Sequence, residues 1–242
     1  MGIGVVNCVY YNPELDRYWI IDARIYQPDQ DGKKKYEHPQ EMLLRAIERG
    51  VMFRTVLMDT WYAITKVMLW IDSLGYKFVC PVRSNRQVLD RWTDPSKPEY
   101  RAVKDIPWKN DEELQSGKDV KLKECSLTLK LFRLTVHPNR TDYVVTNDHE
   151  QIGTSDDATK ACADRWKIEQ YHREAKQTTG IGKCQARNTK AQRKHIMTAI
   201  LAWIVLHIQA EARSMNIYEL KNEPLKVFQT SLWRQPHVLF NV

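Results

Sequence analysis

Three charged side chains between Ala161 and Arg187 have the types and the spacing to act on a phosphate. In the run ACADRWKIEQYHREAKQTTGIGKCQAR, Arg165, Glu169 and Lys176 recur at fixed helical offsets. Wound as an α-helix they fall within about 40° of one another, with Cys162 just beside them. His172 shares that face. Ile168, Tyr171 and Ala175 gather on a different face, the one expected to be buried. A carboxylate holds a hard divalent cation through oxygen, while Arg and Lys neutralise a polyanionic backbone. On spacing alone, Arg165 and Glu169 read as an ordinary i, i+4 surface pair worth a few tenths of a kcal/mol, and His172 as a solvated side chain.

A second acid stands where a strand should end. Asp59 closes FRTVLMD and precedes TWYA. Acids at the carboxyl ends of parallel strands face the crevice where open α/β sheets bind ligands. The alternative for a lone Asp in this position is a helix N-cap. Trp61 and Tyr62 read first as core aromatics, with stacking on a base or sugar as the other use of such rings.

The elements that must position these residues follow from periodicity. Residues 3–11 and 17–26 are apolar and β-branched around an Asn12-Pro13 turn signal, which makes a hairpin. Helical spacing is expected over 39–49 and again over 60–74, closed by Gly75. Strands are expected over 53–59 and 76–82, so that helices alternate with strands as in an α/β sheet. From 84 to 147 the texture changes to charges and prolines and then to alternating runs (VKLKECSL, LTLKLFRLTV, TDYVVTN), an antiparallel β-rich insertion. The helix carrying Glu169 begins after Thr154, with Ser155 and Asp156 as candidate caps. A last long helix covers 191–213. Its apolar run from Ile196 to Ala210 is short for a bilayer and reads as buried. The resulting organisation is 1–83, an insertion over 84–147, and 148–242.

The chain has 242 residues with 37 Lys and Arg against 30 Asp and Glu, a net charge of +7 that favours a polyanionic partner. Its five cysteines are scattered and odd in number, never spaced as CxxC, which points to reduced thiols and no zinc knuckle. No basic region precedes an apolar one at the start, so no signal peptide is read.

The wider run RWKIEQYHREAKQTTGI, followed by CQAR and KAQRKHI, resembles the C-terminal signature of DDE-class insertion-sequence transposases. The branch is the one whose catalytic Glu lies in a Tyr-x2-Arg-x3-Glu-x6-Lys motif. Arg165, Glu169 and Lys176 match the Arg, Glu and Lys, and Cys162 stands where the motif has Tyr. Trp166, Ile168 and His195 match further positions typical of the branch. Asp59, followed by a small polar residue, an aromatic and Tyr, looks like its second catalytic acid.

The resemblance implies an RNase H-like mixed α/β sheet with helices and a β-rich insertion between the second and third acids. It also implies Mg2+ or Mn2+ held by Asp59 and Glu169, and DNA contacts at the transposon ends from Arg165, Lys176, Cys162 and His172. A homodimer or a full-length transposase would be the protein partner, and the setting a bacterial cytoplasm or nucleoid without a membrane. Arg83, Arg86 and Arg91 open the insertion, which in the family reaches toward the transposon end. The family's first acid precedes the hairpin that opens this chain. The first core strand is therefore expected to be missing, neither Asp16 nor Asp22 is a convincing replacement, and the chain alone is expected to be inactive. A non-catalytic DNA binder that represses or pairs with the full-length enzyme is the alternative.

Overall fold

A computed structural model describes residues 4–90, 99–137 and 140–223. Arg91, Trp233 and Pro236 lie outside the described residues. In chain order the elements begin with β1 (Gly4–Asn12), β2 (Arg17–Tyr26), α1 (Pro28–Asp31), α2 (Glu37–Glu48), β3 (Thr55–Leu57), α3 (Thr65–Ser73) and β4 (Lys77–Val82). They continue through β5 (Gln87–Asp90), β6 (Arg101–Ala102), α4 (Asp111–Ser116), β7 (Lys118–Leu122), β8 (Leu129–His137) and β9 (Arg140–Thr146). Three helices follow: α5 (Ser155–Asp164), α6 (Trp166–Thr178) and α7 (Thr189–Ala212). The fold is α/β with a mixed sheet and helices, as the resemblance implies.

The chain divides into two compact units. The first holds residues 1–8 and 26–166, and the second holds 9–25 and 167–242. In the first unit, seven strands form one sheet in the order β3-β4-β9-β8-β7-β5-β6. β3 and β4 run parallel, Thr55 opposite Lys77, because the connection between them carries a helix. That helix, α3, buries Val67, Met68 and Ile71. Every other pairing is antiparallel, from β4·β9 (Cys80 opposite Val145) to β5·β6. The β-rich segment thus continues the same sheet. Phe78, Val88, Leu122, Leu129 and Leu131, all on its strands, are fully buried. Asn147 fixes the start of β4 by accepting from the Phe78 N–H at 2.7 Å and donating to Asp72 at 2.7 Å and to the Tyr76 carbonyl at 3.2 Å.

In the second unit, Tyr18 from the hairpin packs with Tyr171 and Ala175 of α6 and with Trp203 and Ala210 of α7. The two hairpin strands form a two-stranded sheet of their own.

Three expectations need correction. The helix expected from residue 60 starts at Thr65, because residues 60–64 are spent on a turn in which the Tyr62 N–H bonds the Asp59 carbonyl at 2.9 Å. The continuous helix expected around Glu169 is two helices that meet at Arg165. Its halves bury different stripes: Ala158, with Ala161 and Cys162, packs with Val79 and Phe132, whereas Tyr171 and Ala175 pack with Trp203. The cap of α5 is Thr154, not Ser155 or Asp156. Its side chain accepts from the Asp157 N–H while the Asp157 carboxylate accepts from the Thr154 N–H, a reciprocal capping box.

The apolar helix α7 is buried on one side only, through Ile196, Ala199, Ile200, Trp203 and Ala210. Met197, Leu201, Val205 and Ile208 form an exposed stripe on it. By length and composition α7 could cross a bilayer, a test that core helices of soluble proteins also pass.

Candidate functional site

In the first unit, β3 ends at Leu57, and the Met58 N–H extends the ladder by one bond to the Val79 carbonyl at 3.1 Å. Asp59 therefore emerges at the carboxyl end of a parallel strand, and its side chain is exposed. One carboxylate oxygen, Oδ1, accepts from the Thr60 N–H at 2.6 Å and from the Thr60 hydroxyl at 2.8 Å. The acid caps a tight turn and does not cap α3, which starts six residues later with no side-chain cap. Met58 and Ala63 are buried on either side of the turn, and Tyr62 packs against the main core. Burial, helped by the Asp59 charge, pushes the Tyr62 hydroxyl up to about 12.

Trp61 does not join the core: it is 63% exposed at the tip of the turn. Lys35 Nζ lies 4.9 Å from its ring centroid, and Arg83 Cζ lies 5.8 Å from it. Lys35 Nζ also lies 5.9 Å from the centroid of the Tyr62 ring. Arg86, in contrast, is half-buried and donates to the Thr65 hydroxyl.

Cys162 and Arg165 also belong to the first unit. Cys162 is partly buried on α5, and burial raises its thiol pKa while the Arg165 charge opposes the rise. That thiol is a weak nucleophile and a small packing group.

In the second unit, α6 sorts its side chains cleanly. His172 and Lys176 are exposed, Glu169 is half-buried on the same face, and Tyr171, Glu174 and Ala175 are buried opposite. His172 is held below the usual imidazole range, first by desolvation and then by the Lys176 charge, with Glu169 pulling the other way. His195 is bonded to the Gly180 carbonyl through Nε2 at 3.1 Å, a structural contact.

Sequence reasoning missed Glu174. It is buried, and Oε2 accepts from the Tyr18 hydroxyl at 3.0 Å and the Trp203 indole N–H at 3.0 Å, while Oε1 accepts from the Gln170 amide at 3.0 Å. A buried carboxylate with three donors is satisfied, and it fixes the face of α6 opposite Glu169. The signal was present: Tyr171, Glu174 and Ala175 follow the i, i+3, i+4 spacing of a buried stripe, with a charge at its centre.

The acids Asp16 and Asp22 are both engaged. Asp16 takes bonds from Lys167 at 2.6 Å and from the Tyr11 hydroxyl at 3.0 Å, and these hold its carboxyl below the usual range. Asp22 pairs with Arg24 at 3.3 Å.

The Asp59 carboxylate thus stands at the end of a parallel strand in the first unit, and Glu169 lies on the Lys176 face of α6 in the second. The family model described as Transposase DDE domain matches residues 20–205. That span is most of the chain, and the chain belongs to this family of transposase domains. No curated protein matches it.

Proposed function

We propose that this chain binds the ends of a mobile DNA element and contributes Asp59 and Glu169 to metal-dependent phosphodiester chemistry on an RNase H-like core. One observation carries the reading beyond the family match. The face of α6 that holds Glu169, His172 and Lys176 is turned outward, while Glu174 locks the opposite face. Arg165, with Cys162 beside it, and Lys176 supply contacts to the DNA backbone in this reading. His172 adds a hydrogen bond to a phosphate, or a positive charge when protonated.

Asp59 and Glu169 are hard oxygen donors that suit Mg2+ or Mn2+. Among the described residues, the hydrogen bonds of Asp59 run to Oδ1, which leaves Oδ2 for a ligand. A bound divalent cation supplies activation of the attacking oxygen and stabilisation of the leaving one. In this reading Asp59 and Glu169 would each offer a carboxylate to such a cation, and Arg165 and Lys176 would contact the scissile phosphate. The cytoplasm or nucleoid, where the DNA lies, is the setting this reading calls for, with a second copy or a longer transposase as protein partner.

The family's chemistry calls for three carboxylates. Asp16 and Asp22, the nearest spare acids in sequence, already have cationic partners. We therefore infer that this chain by itself binds DNA without completing cleavage, which is how a repressor of the complete enzyme would act. The test is an assay of labelled element-end DNA with the purified chain in Mg2+ and in EDTA. Binding in both conditions without nicking is the expected result. Nicking in Mg2+ that disappears in Glu169→Ala would overturn the inactive reading and keep the assignment of Glu169. Absence of any DNA binding would sink both.

A further inference from the structure

We propose that Trp61, flanked by Lys35 and Arg83, is a stacking platform for an unpaired base of DNA beside Asp59. The inference rests on the DNA-binding reading above and adds a substrate feature to it. The backbone leaves Trp61 no route inward. The Asp59 carbonyl takes the Tyr62 N–H at 2.9 Å, the Tyr62 carbonyl takes the Ile64 N–H at 2.8 Å, and buried Met58 and Ala63 pin both ends. The indole therefore stands at the tip of the turn, two residues from the acid, with 63% of its surface exposed.

An isolated exposed aromatic needs no explanation. This one has a cation on each of two neighbouring segments, Lys35 at 4.9 Å and Arg83 at 5.8 Å from the ring centroid. Among the described residues neither cation has a carboxylate partner. A π-face bordered by unpaired positive charge matches a ligand that is itself a flat ring on an anionic backbone. An exposed ammonium over a ring is held more weakly than a stacked base, so a base displaces Lys35 from the ring and its ammonium moves to the adjoining phosphate. The base must be unpaired and unstacked, because an intact duplex offers edges in its grooves and no free base face to a single ring.

The experiment measures affinity of the whole chain for two labelled DNAs of equal length, one fully paired and one with unpaired bases at its end, each carrying 2-aminopurine as a stacking reporter. Wild type is expected to prefer the unpaired DNA and to quench its reporter. Stacking of this kind is worth about 5- to 100-fold in affinity, so Trp61→Ala should lose a preference of that order while holding the paired duplex within about twofold. Trp61→Phe should keep part of the preference, and Lys35→Ala should weaken binding of the unpaired DNA more than that of the paired one. A thermal melt of Trp61→Ala coincident with wild type shows that the fold is intact. Two results overturn the platform but leave the DNA-binding reading standing: a preference that survives Trp61→Ala, or a wild type that binds both DNAs equally. A wild type that binds neither DNA overturns the platform and that reading together.

Discussion

The side chains of α6 divide by what surrounds them more than by what they are. Glu169 and Glu174 are the same residue five positions apart, yet one faces outward with Lys176 and the other is sealed under Tyr18 and Trp203. Removing the buried one strands its two buried donors, the Tyr18 hydroxyl and the Trp203 indole N–H. Glu174→Ala is expected to destabilise the protein by about 2–4 kcal/mol in a denaturant titration. Glu174→Gln, which keeps a carbonyl for both donors, should lose less. His172 gives a pH prediction. Its folded pKa lies below the unfolded value, so the unfolded chain binds more protons as pH falls through the usual imidazole range. Its contribution to stability is therefore full above about pH 6.5 and declines as the solution becomes more acid, levelling off below the folded pKa. His172→Gln should remove that decline. In an anisotropy titration the same protonation should raise DNA affinity only on the acid side of the usual range, and the rise should vanish in the variant. The charged face of α6 was legible from 3.6-residue periodicity. Glu174 was passed over because charge is ordinarily read as surface, and Trp61 because one aromatic in a sequence looks the same pointing in or out.

At the level of elements, the main strands and the longer helices were readable, whereas the short helices α1 and α4 and the junctions were not. β2 and the pair β3·β4 follow β-branched runs that nothing else in the chain competes for. The junction at Arg165 could not be read: the residue itself keeps helical angles (φ −60°, ψ −25°), and the break arises because the stripes on either side pack into different cores. The cap was readable and misassigned, since Thr154 and Asp157 have the spacing of a capping box. Thr154→Ala should cost about 1 kcal/mol in chemical denaturation, and Ser155→Ala much less. Gly117 closes α4 with φ +71°, and a Cβ there would sit 2.7 Å from the Phe132 ring and 2.9 Å from the Leu131 carbonyl oxygen. Gly117→Ala is accordingly expected to cost about 1–3 kcal/mol, read as a lowered midpoint, because neither the buried ring nor the backbone can yield.

For the molecule as a whole, the charge of +7 says only that a polyanion is favoured. The structure adds where cations are held on presented surfaces, at Lys35, Arg83 and Lys176. In a salt titration of duplex binding, Lys176→Ala should lower the slope of log K against log salt by about one unit if it meets one phosphate, whatever the DNA sequence. An unchanged slope would remove Lys176 from the interface. The division into two units was not legible, because it cuts through both hairpin strands and between Trp166 and Lys167, where local pattern shows no boundary. That division sets an order of events on the ribosome. Tyr18 leaves the exit tunnel early, but its partner Glu174 is 156 residues later, so at about 5–20 residues per second the hairpin waits roughly 8–30 s. Every strand of the seven-stranded sheet has been synthesised by then. The helix that carries Glu169 gains its support from α7 only once residues 189–212 have been made, after every strand of that sheet.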